Sequence, residues 1–292
     1  MNQSQTSQSQ TNPATEQGLK RDLKFVASYP KSGNTWVRMA AICYSTGRAD
    51  LSALGRMGDL RVQDYHDVSP IPLQNLGLPG QAQIRPAAML NLAVSLGGKQ
   101  EHAIKSHHAF LSIEGIPLWH PSFVDRVVNP VRDPREICCS AKEHFGFESY
   151  EETAEFMMKE GQCIGGGDRP IHHVIGSWAQ HVNTWQSADP LDVMTVKYED
   201  LKADPLAMFE KIFGFLLDEE VDRHRVEEAV EATDFDHLKE LEDEHGFPEK
   251  SDQADRFFRS GKADGWKEEL PTGVVRTLED EFGKTMEGLG YL

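Results

Sequence analysis

Several features that mark large protein classes are scarce in this chain. Its 292 residues include only four cysteines, without a Cys-x-x-Cys pair or a regular spacing, which favours reduced thiols over a disulfide framework. No stretch approaches the roughly 18 consecutive apolar residues that a transmembrane helix needs. The twelve histidines form no His-Glu-x-x-His motif and no Cys/His cluster at metal-ligand spacing. We therefore expect no membrane span and no metal cofactor.

Basic residues are also scarce, with 30 Lys and Arg against 47 Asp and Glu and a net charge of −17 at pH 7. The chain thus lacks the broad basic face that nucleic acids require, although a few basic side chains can still converge on a small anion. Residues 1–20 are polar and lack the regions of a signal peptide. We predict a disordered tail over residues 1–20, a single domain over residues 21–292 and a cytoplasmic protein without a nucleic-acid partner.

Short apolar runs alternate with helical periods, which predicts an α/β fold with a central parallel sheet between two helical layers. The predicted strands are Lys24–Ser28, His102–Ser106, Asp125–Val131 and Asp192–Lys197. The predicted helices are Thr35–Ser45, Pro86–Leu96, Pro134–His144, Tyr150–Lys159, His172–Trp185, Pro205–Leu216, Glu219–Glu231 and Pro271–Gly288. The Gly- and Pro-rich segment Gly55–Gln100 is interpreted as a lid or substrate loop. The acidic segment Asp236–Asp255 is predicted to be exposed, and Pro130 predicts a bend or end in its strand.

The most informative segment runs from Phe25 to Arg38 and reads FVASYPKSGNTWVR. An apolar strand leads through a Gly-containing turn into a helix, which presents backbone N–H groups and the positive end of the helix dipole to an anion. A Walker loop places its lysine after the second glycine, whereas Lys31 precedes Gly33. Taken alone, the pattern suits either an unusual phosphate loop or a plain strand–turn–helix corner with an exposed lysine.

This segment closely resembles the YPKSGTTW loop of cytosolic-type sulfotransferases, which use 3′-phosphoadenosine 5′-phosphosulfate (PAPS). Three more segments resemble family motifs in the same order: Val131–Phe145, Val196–Pro205 and Phe258–Lys267. The resemblance therefore covers about Lys24 to Leu270. It implies a three-layer α/β/α domain with a P-loop-like nucleotide site.

The resemblance also implies which residues hold the donor. Arg132 and Ser140, eight residues apart, would grip the 3′-phosphate, and Arg259 with the N–H of Gly261 would close over it. Ser260 stands where the family has a second basic residue, which weakens that contact. The other implied contacts to the phosphates and the adenosine come from Lys31, Ser32, Gly33, Asn34, Thr35, Trp36, Tyr198, Thr233 and Phe235.

The predicted reaction centre follows a strand in the segment HAIKSHHAF, which is similar to the family's Lys-Thr-His segment. His107 is the predicted catalytic base, because a neutral imidazole can accept a hydroxyl proton near neutral pH. His108 is the rival, but adjacent strand residues point to opposite faces, and the register with Lys105 selects His107. Lys105 would stabilise the sulfuryl oxygens, and Lys31 would neutralise charge on the bridging oxygen and the 5′-phosphate.

These inferences predict in-line transfer of a sulfuryl group from PAPS to a hydroxyl of a small-molecule, lipid or glycan acceptor. A nucleotide-dependent kinase and a non-catalytic nucleotide-binding protein on the same fold are the alternatives. Apolar residues in Gly55–Gln100 and Phe145–Arg169 suit an apolar acceptor pocket, or equally the core faces of covering helices. The family's dimer segment has no clean match after Lys267, so the oligomeric state stays open.

Overall fold

The computed structural model describes residues 23–56, 58–96, 103–166, 169–217 and 220–292. The predicted tail over residues 1–20 lies outside these residues. The strands are β1 (Leu23–Ala27), β2 (Ile104–Ser106), β3 (Ser112–Ile113), β4 (Ile116–Pro117), β5 (Val124–Val131), β6 (Cys163–Gly166), β7 (Arg169–Val174) and β8 (Asp192–Lys197). Four of them form a parallel sheet in the order β2-β1-β5-β8, while β3-β4 and β6-β7 are antiparallel pairs.

The helices lie between and after the strands, with several in succession after β1 and after β8. They are α1 (Asn34–Thr46), α2 (Leu51–Arg56), α3 (Val62–His66), α4 (Gly77–Leu96), α5 (Pro134–Phe145), α6 (Tyr150–Met158), α7 (Trp178–Gln186), α8 (Tyr198–Ala203), α9 (Pro205–Leu217), α10 (Arg223–Ala232), α11 (Phe235–His245), α12 (Trp266–Glu269) and α13 (Thr272–Leu289). None of the helices in the described ranges is both long and apolar enough to cross a membrane.

The sheet separates two hydrophobic cores, which confirms the predicted three-layer arrangement. Val26 and Val128 pack with residues of α1, α9 and α10 on one face. Phe25 and Val127 pack with residues of α4 and α7 on the other face. The division arises because neighbouring strand residues point to opposite faces, and burial on both faces is typical of parallel sheets.

One predicted helix is wrong over its first part. The segment His172–Trp185 begins as strand β7, which pairs with β6, and α7 starts only at Trp178. Gly176 has a φ of 65°, and the Ser177 hydroxyl accepts a hydrogen bond from the Gln180 N–H as the N-cap. A left-handed glycine followed by a capping serine therefore sets the start of this helix.

Two other helix starts also differ from the prediction. Helix α4 begins at Gly77 and continues through Pro86, although proline removes one helical hydrogen bond. The full burial of Ala88 and Met89 in the core beneath the sheet stabilises the continuous helix. Helix α10 begins at Arg223 rather than at residue 219, because the Asp222 carboxylate accepts from the first-turn N–H groups.

The bend or strand end predicted at Pro130 corresponds to the end of β5, which stops one residue later, at Val131 beside Lys197 of β8. Pairing between β1 and β5 ends at Val26 and Val128, so Pro130 lies beyond the ladder with β1 while it still pairs with Val196 of β8. The Asn129 side chain instead donates to the Ala27 carbonyl at 2.7 Å. A side-chain amide thus continues the contact between the two strands.

Candidate active site

The loop between β1 and α1 is held by the side chain of Asn34. Its Nδ2 donates to the Val26 carbonyl at 2.8 Å and to the Ser28 hydroxyl at 3.2 Å, and its Oδ1 accepts from Arg38 Nε at 2.8 Å. Both polar atoms of the Asn34 side chain therefore already have hydrogen-bond partners within the protein. Asn34 thus positions the loop, and its backbone N–H, at the uncapped start of α1, is the group that it can offer to a ligand.

Gly33 is the N-cap of α1 and has a φ of 101°. A Cβ at this position would lie 2.9 Å from Tyr198 Cδ2, so both the backbone conformation and the close aromatic ring require glycine. Because glycine has no capping side chain, the N–H groups of the first turn are left for an anion in front of the helix.

A cleft of about 260 Å³ opens in front of this helix end. All the predicted site residues contribute to its lining except Ser32, which is fully buried and whose hydroxyl has no hydrogen-bond partner. The lining includes Lys31, Gly33, Asn34, Thr35, Trp36, Lys105, His107, Arg132, Ser140, Tyr198, Thr233, Phe235, Arg259, Ser260 and Gly261. Motifs separated by more than two hundred residues thus converge on one cleft.

Arg132 connects two sides of the cleft, the loop after β1 and the segment that contains Lys262. Its guanidinium donates to the Lys31 carbonyl at 3.2 Å and to the Lys262 carbonyl at 2.8 Å, and it lies 4.2 Å from the centre of the Tyr198 ring. Its Nε is buried without a hydrogen-bond partner. The guanidinium is therefore fixed in orientation and keeps a donor unused.

Aromatic side chains form the part of the cleft beside Arg132. Trp36 contacts the Tyr198 ring edge to face at 5.8 Å, and its Nε1 donates to the Thr233 hydroxyl at 3.3 Å. Phe235 begins α11 and contacts Gly261 so closely that a Cβ there would lie 2.6 Å from its ring. These flat surfaces can stack on a nucleobase.

The two neighbouring histidines lie in different environments. Nδ1 of His107 is 2.8 Å from the Ser28 carbonyl; since a carbonyl only accepts, Nδ1 carries the proton and Nε2 is the basic nitrogen. Burial, and after it the charge of Lys105, hold the pKa of His107 well below its usual value of 6.5. His108 is buried outside the cleft, where its Nδ1 accepts from the Val174 N–H at 3.1 Å.

Positive charge accumulates at the same end of the cleft. Burial, followed by repulsion from Arg132 and Lys105, lowers the pKa of Lys31 from 10.5 to about 7. The Lys31 ammonium lies 4.0 Å from the centre of the Phe257 ring, and Lys105 pairs with Glu249 at 3.1 Å. A bound anion would relieve the repulsion between these cations.

Two carboxylates in the acidic segment correct the prediction that Asp236–Asp255 is exposed. Glu242 is buried and accepts from the N–H groups of Phe257 and Phe258 at 2.7 and 3.0 Å. Glu249 lines the cleft and accepts from Thr35 at 3.0 Å. The sequence around Glu242 and Glu249 carries no signal for either role. Their partners lie outside the local sequence: those of Glu242 are about 15 residues away, and Thr35 is more than 200 residues from Glu249.

Asp59, His108 and His173 approach one another closely enough to suggest a metal site, with their ligand atoms within 4.8 Å. The contact with the Val174 N–H requires a lone pair on His108 Nδ1, so the proton of the neutral ring lies on Nε2, which faces Asp59. Arg85 also pairs with Asp59 at 3.1 Å. A protonated nitrogen and a neighbouring guanidinium do not fit a cation at this position.

Comparisons with known proteins agree with this geometry. The family model described as Sulfotransferase domain matches residues 21–290. Cytosolic sulfotransferase 17 of Arabidopsis thaliana is 23% identical over 284 residues, covering 92% of this chain and 75% of the relative. Flavonol 3-sulfotransferase of Flaveria bidentis is 24% identical over 275 residues, covering 89% of this chain and 82% of the relative.

The fold is also similar to a solved structure, that of the mouse sulfotransferase SULT7A1 complexed with PAP. The TM-score is 0.56 at 21% identity, and the match covers 91% of this chain and 84% of the mouse protein. The similarity supports the P-loop-like α/β architecture. Since the family model spans nearly all of the described residues and the fold agrees, the chain belongs to the sulfotransferase domain family.

Proposed function

We propose that this sulfotransferase moves a sulfuryl group from PAPS to a hydroxyl group of a small-molecule acceptor. The observation that carries the proposal is the convergence of Lys31, Lys105 and His107 beside the uncapped start of α1. The basic groups suit a transferred anionic group, and the neutral imidazole suits removal of a hydroxyl proton. The mouse structure was solved with PAP, the product that such a donor would leave.

The cleft has features that fit PAPS. The loop N–H groups, with Lys31 and Thr35, would hold the 5′-phosphate, because a helix start favours anions. Arg132 would direct its guanidinium, and Ser140 its hydroxyl, to the 3′-phosphate, with Arg259 and Gly261 approaching from the segment after α11. Trp36, Tyr198, Thr233 and Phe235 would contact the adenosine. When bound, PAPS supplies the sulfuryl group and leaves as PAP.

The chain's own residues would then do little covalent work. Nε2 of His107 accepts the proton of the acceptor hydroxyl, and the bond of Nδ1 to the Ser28 carbonyl keeps the ring in this tautomer. Lys105 stabilises the oxygens of the transferred group. Lys31 is fully protonated once an anion raises its pKa from about 7, and it offsets charge on the leaving phosphate. Positioning and charge stabilisation dominate such a displacement.

The acceptor is proposed from the chemistry of the cleft mouth. Phe257 lines the cleft, and the Phe145, Phe147 and Phe156 rings form a neighbouring cluster with centroids 5.1 to 5.8 Å apart. An apolar small molecule with a hydroxyl fits such a surface, and one relative is named for a flavonol. Lipid and glycan hydroxyls belong in the same screen. The cytosolic label of another relative supports our expectation of a cytoplasmic protein.

The test combines binding with transfer. Calorimetry should show that the chain binds PAP far more tightly than AMP, because Arg132, Ser140 and Arg259 address the 3′-phosphate. A panel of phenols, sterols, lipids and glycans with labelled PAPS should then reveal transfer that survives EDTA. Equal affinity for PAP and AMP would overturn the donor assignment.

The same measurements separate the alternatives. Transfer that EDTA abolishes and Mg²⁺ restores would favour a nucleotide-dependent kinase. Tight PAP binding without transfer to any acceptor would favour a non-catalytic nucleotide-binding protein.

A further inference from the structure

Glu249 joins three polar groups of the cleft through one carboxylate. Its Oε2 accepts from the Thr35 hydroxyl at 3.0 Å, and its Oε1 lies 2.6 Å from Arg38 Nη2 and 3.1 Å from Lys105 Nζ. The Glu249 side chain is 13% exposed, while that of Arg38 is not exposed at all. A carboxylate at the centre of two cations and a hydroxyl has a fixed position.

Arg38 anchors this carboxylate from beneath. The guanidinium belongs to α1, and its Nε donates to the Asn34 side chain that holds the phosphate loop. Among the described residues, Glu249 is the only acidic side chain paired with Arg38. A buried guanidinium needs a counter-ion, and Glu249 supplies it for Arg38. Glu249 is therefore linked through Arg38 to the phosphate loop, and it also pairs with Lys105.

Charge explains why the carboxylate stays ionised there. Burial alone would raise the pKa of Glu249, but Lys105 and Arg38 outweigh burial and lower the pKa to about 2. An acid of this strength, paired with two cations, is a poor proton acceptor near pH 7. The carboxylate also offsets the repulsion that Lys105 exerts on Lys31. Its contribution is therefore fixed charge and geometry rather than proton transfer.

We propose that Glu249 is a positioning residue, whose carboxylate, anchored on Arg38, holds the Lys105 ammonium where sulfuryl transfer takes place. This inference rests on the proposed function, in which Lys105 contacts the transferred group. The side chain of lysine has four rotatable bonds, and a fixed anion restricts the positions of its charged end. Loss of the anion would leave Lys105 present but less well aligned.

The principal variant is Glu249→Gln, which keeps the side-chain shape and removes the charge. We expect kcat to fall by about 10- to 100-fold, as misalignment at a reaction centre can cost. The dissociation constant of PAP should be unchanged or lower, since one negative charge near the phosphates is lost. The matched control is Glu244→Gln on the same acidic segment, whose side chain is 69% exposed, and its kcat and PAP affinity should equal those of the wild type.

A double-mutant cycle distinguishes positioning from a general structural role. If Glu249 acts through Lys105, Glu249→Gln should cost little further activity in a Lys105→Gln background. If Glu249→Gln does not fold, Glu249→Asp replaces it in the same cycle. The shorter carboxylate still neutralises Arg38 but cannot span both cations, and the same loss of kcat is expected. Melting curves of all variants show whether each one is folded under the conditions of the kinetic assay.

The outcomes separate this inference from the proposed function. A folded Glu249 variant with wild-type kcat, or one whose loss simply adds to that of Lys105→Gln, would overturn the positioning role while the donor assignment stands. A wild-type chain that neither prefers PAP over AMP nor transfers label would overturn the proposed function, and this inference with it. A fall in kcat with unimpaired PAP binding and coupling to Lys105 supports the proposal.

Discussion

The two walls of the cleft differ in how they are built. The first wall is the β1–α1 loop, residues 29–36, which we call the loop wall. The second is the segment of residues 246–262 after α11, which we call the covering wall. The loop wall is held by hydrogen bonds between residues close in sequence, such as Asn34 to Val26 and Ser28. The covering wall is held by long-range contacts of Glu242, Glu249 and Arg132.

The two walls also contribute different chemical groups to the site. The loop wall offers backbone N–H groups and Lys31, whose pKa near 7 indicates an excess of positive charge. The covering wall brings both a carboxylate and Arg259, so its contribution depends on the balance of charges. We expect substitutions in the reaction centre beside the loop wall to change activity most and those in the covering wall to change it less.

The largest expected effect is that of replacing His107, the proposed base, whose Nδ1 donates to the Ser28 carbonyl just after β1. His107→Ala should lower kcat by about 10²- to 10⁴-fold, the usual cost of losing a general base. PAP affinity should remain, because in the proposed reaction the imidazole contacts the acceptor and not the donor phosphates. Steady-state kinetics with the best acceptor from the screen, together with PAP calorimetry, measures both effects.

The matched control is His108→Ala, since His108 lies outside the cleft and accepts from the Val174 N–H. It should lower the melting temperature more than it lowers turnover. An inactive, folded His108→Ala variant beside an active His107→Ala variant would show that the base has been assigned to the wrong neighbour.

The next effect concerns the residue that joins the two walls. Arg132→Ala should weaken PAP binding by about 1.5–3 kcal/mol, or about 10- to 150-fold, as expected for a lost charge-assisted contact. Binding of AMP should change little. Arg259→Ala should cost less, about 0.2–1 kcal/mol, because its side chain is 34% exposed, against 9% for that of Arg132. If Arg259→Ala costs more PAP affinity than Arg132→Ala, the covering wall is the stronger phosphate site.

The last expected effect, at most about tenfold for each pH unit, is a pH dependence that only the loop wall should show. The lowered pKa of Lys31, about 7 without an anion, means that the ammonium is lost as pH rises through 7. Below pH 7 the lysine is already charged and PAP binding takes up little proton. Above pH 7 binding must restore the charge, so PAP affinity should fall by up to about tenfold per pH unit.

Calorimetry in buffers of different ionisation enthalpy measures this proton uptake directly. Lys31→Met should abolish the uptake above pH 7 and weaken PAP binding at pH 6. Uptake that persists in Lys31→Met would assign the titration to another group.

The parts of the fold that could be predicted are those with local signals. Residues Lys24–Ser28 and Asp192–Lys197 are short apolar runs, and both form strands within one residue of the predicted bounds. The helix predicted over Thr35–Ser45 forms as α1 (Asn34–Thr46), and Gly47, in a left-handed conformation, ends it. The start of α7 was predicted wrongly because its signal is not local. Residues 172–174 belong to strand β7, which pairs with β6, and the sequence around them does not show that pairing.

The sequence by itself determined the family, the phosphate loop and the cleft-facing member of the His107–His108 pair. The family and the phosphate loop follow from the order of residues within short motifs, and the choice of His107 follows from its position two residues after Lys105, at the end of β2. Only the tertiary structure decided that Asn34 holds the loop, that Ser32 is buried and that Glu249 enters the cleft. The physical reason is that Glu249 can be buried and ionised only because it pairs with Arg38 and Lys105. These three residues are distant in sequence and come together only in the folded chain.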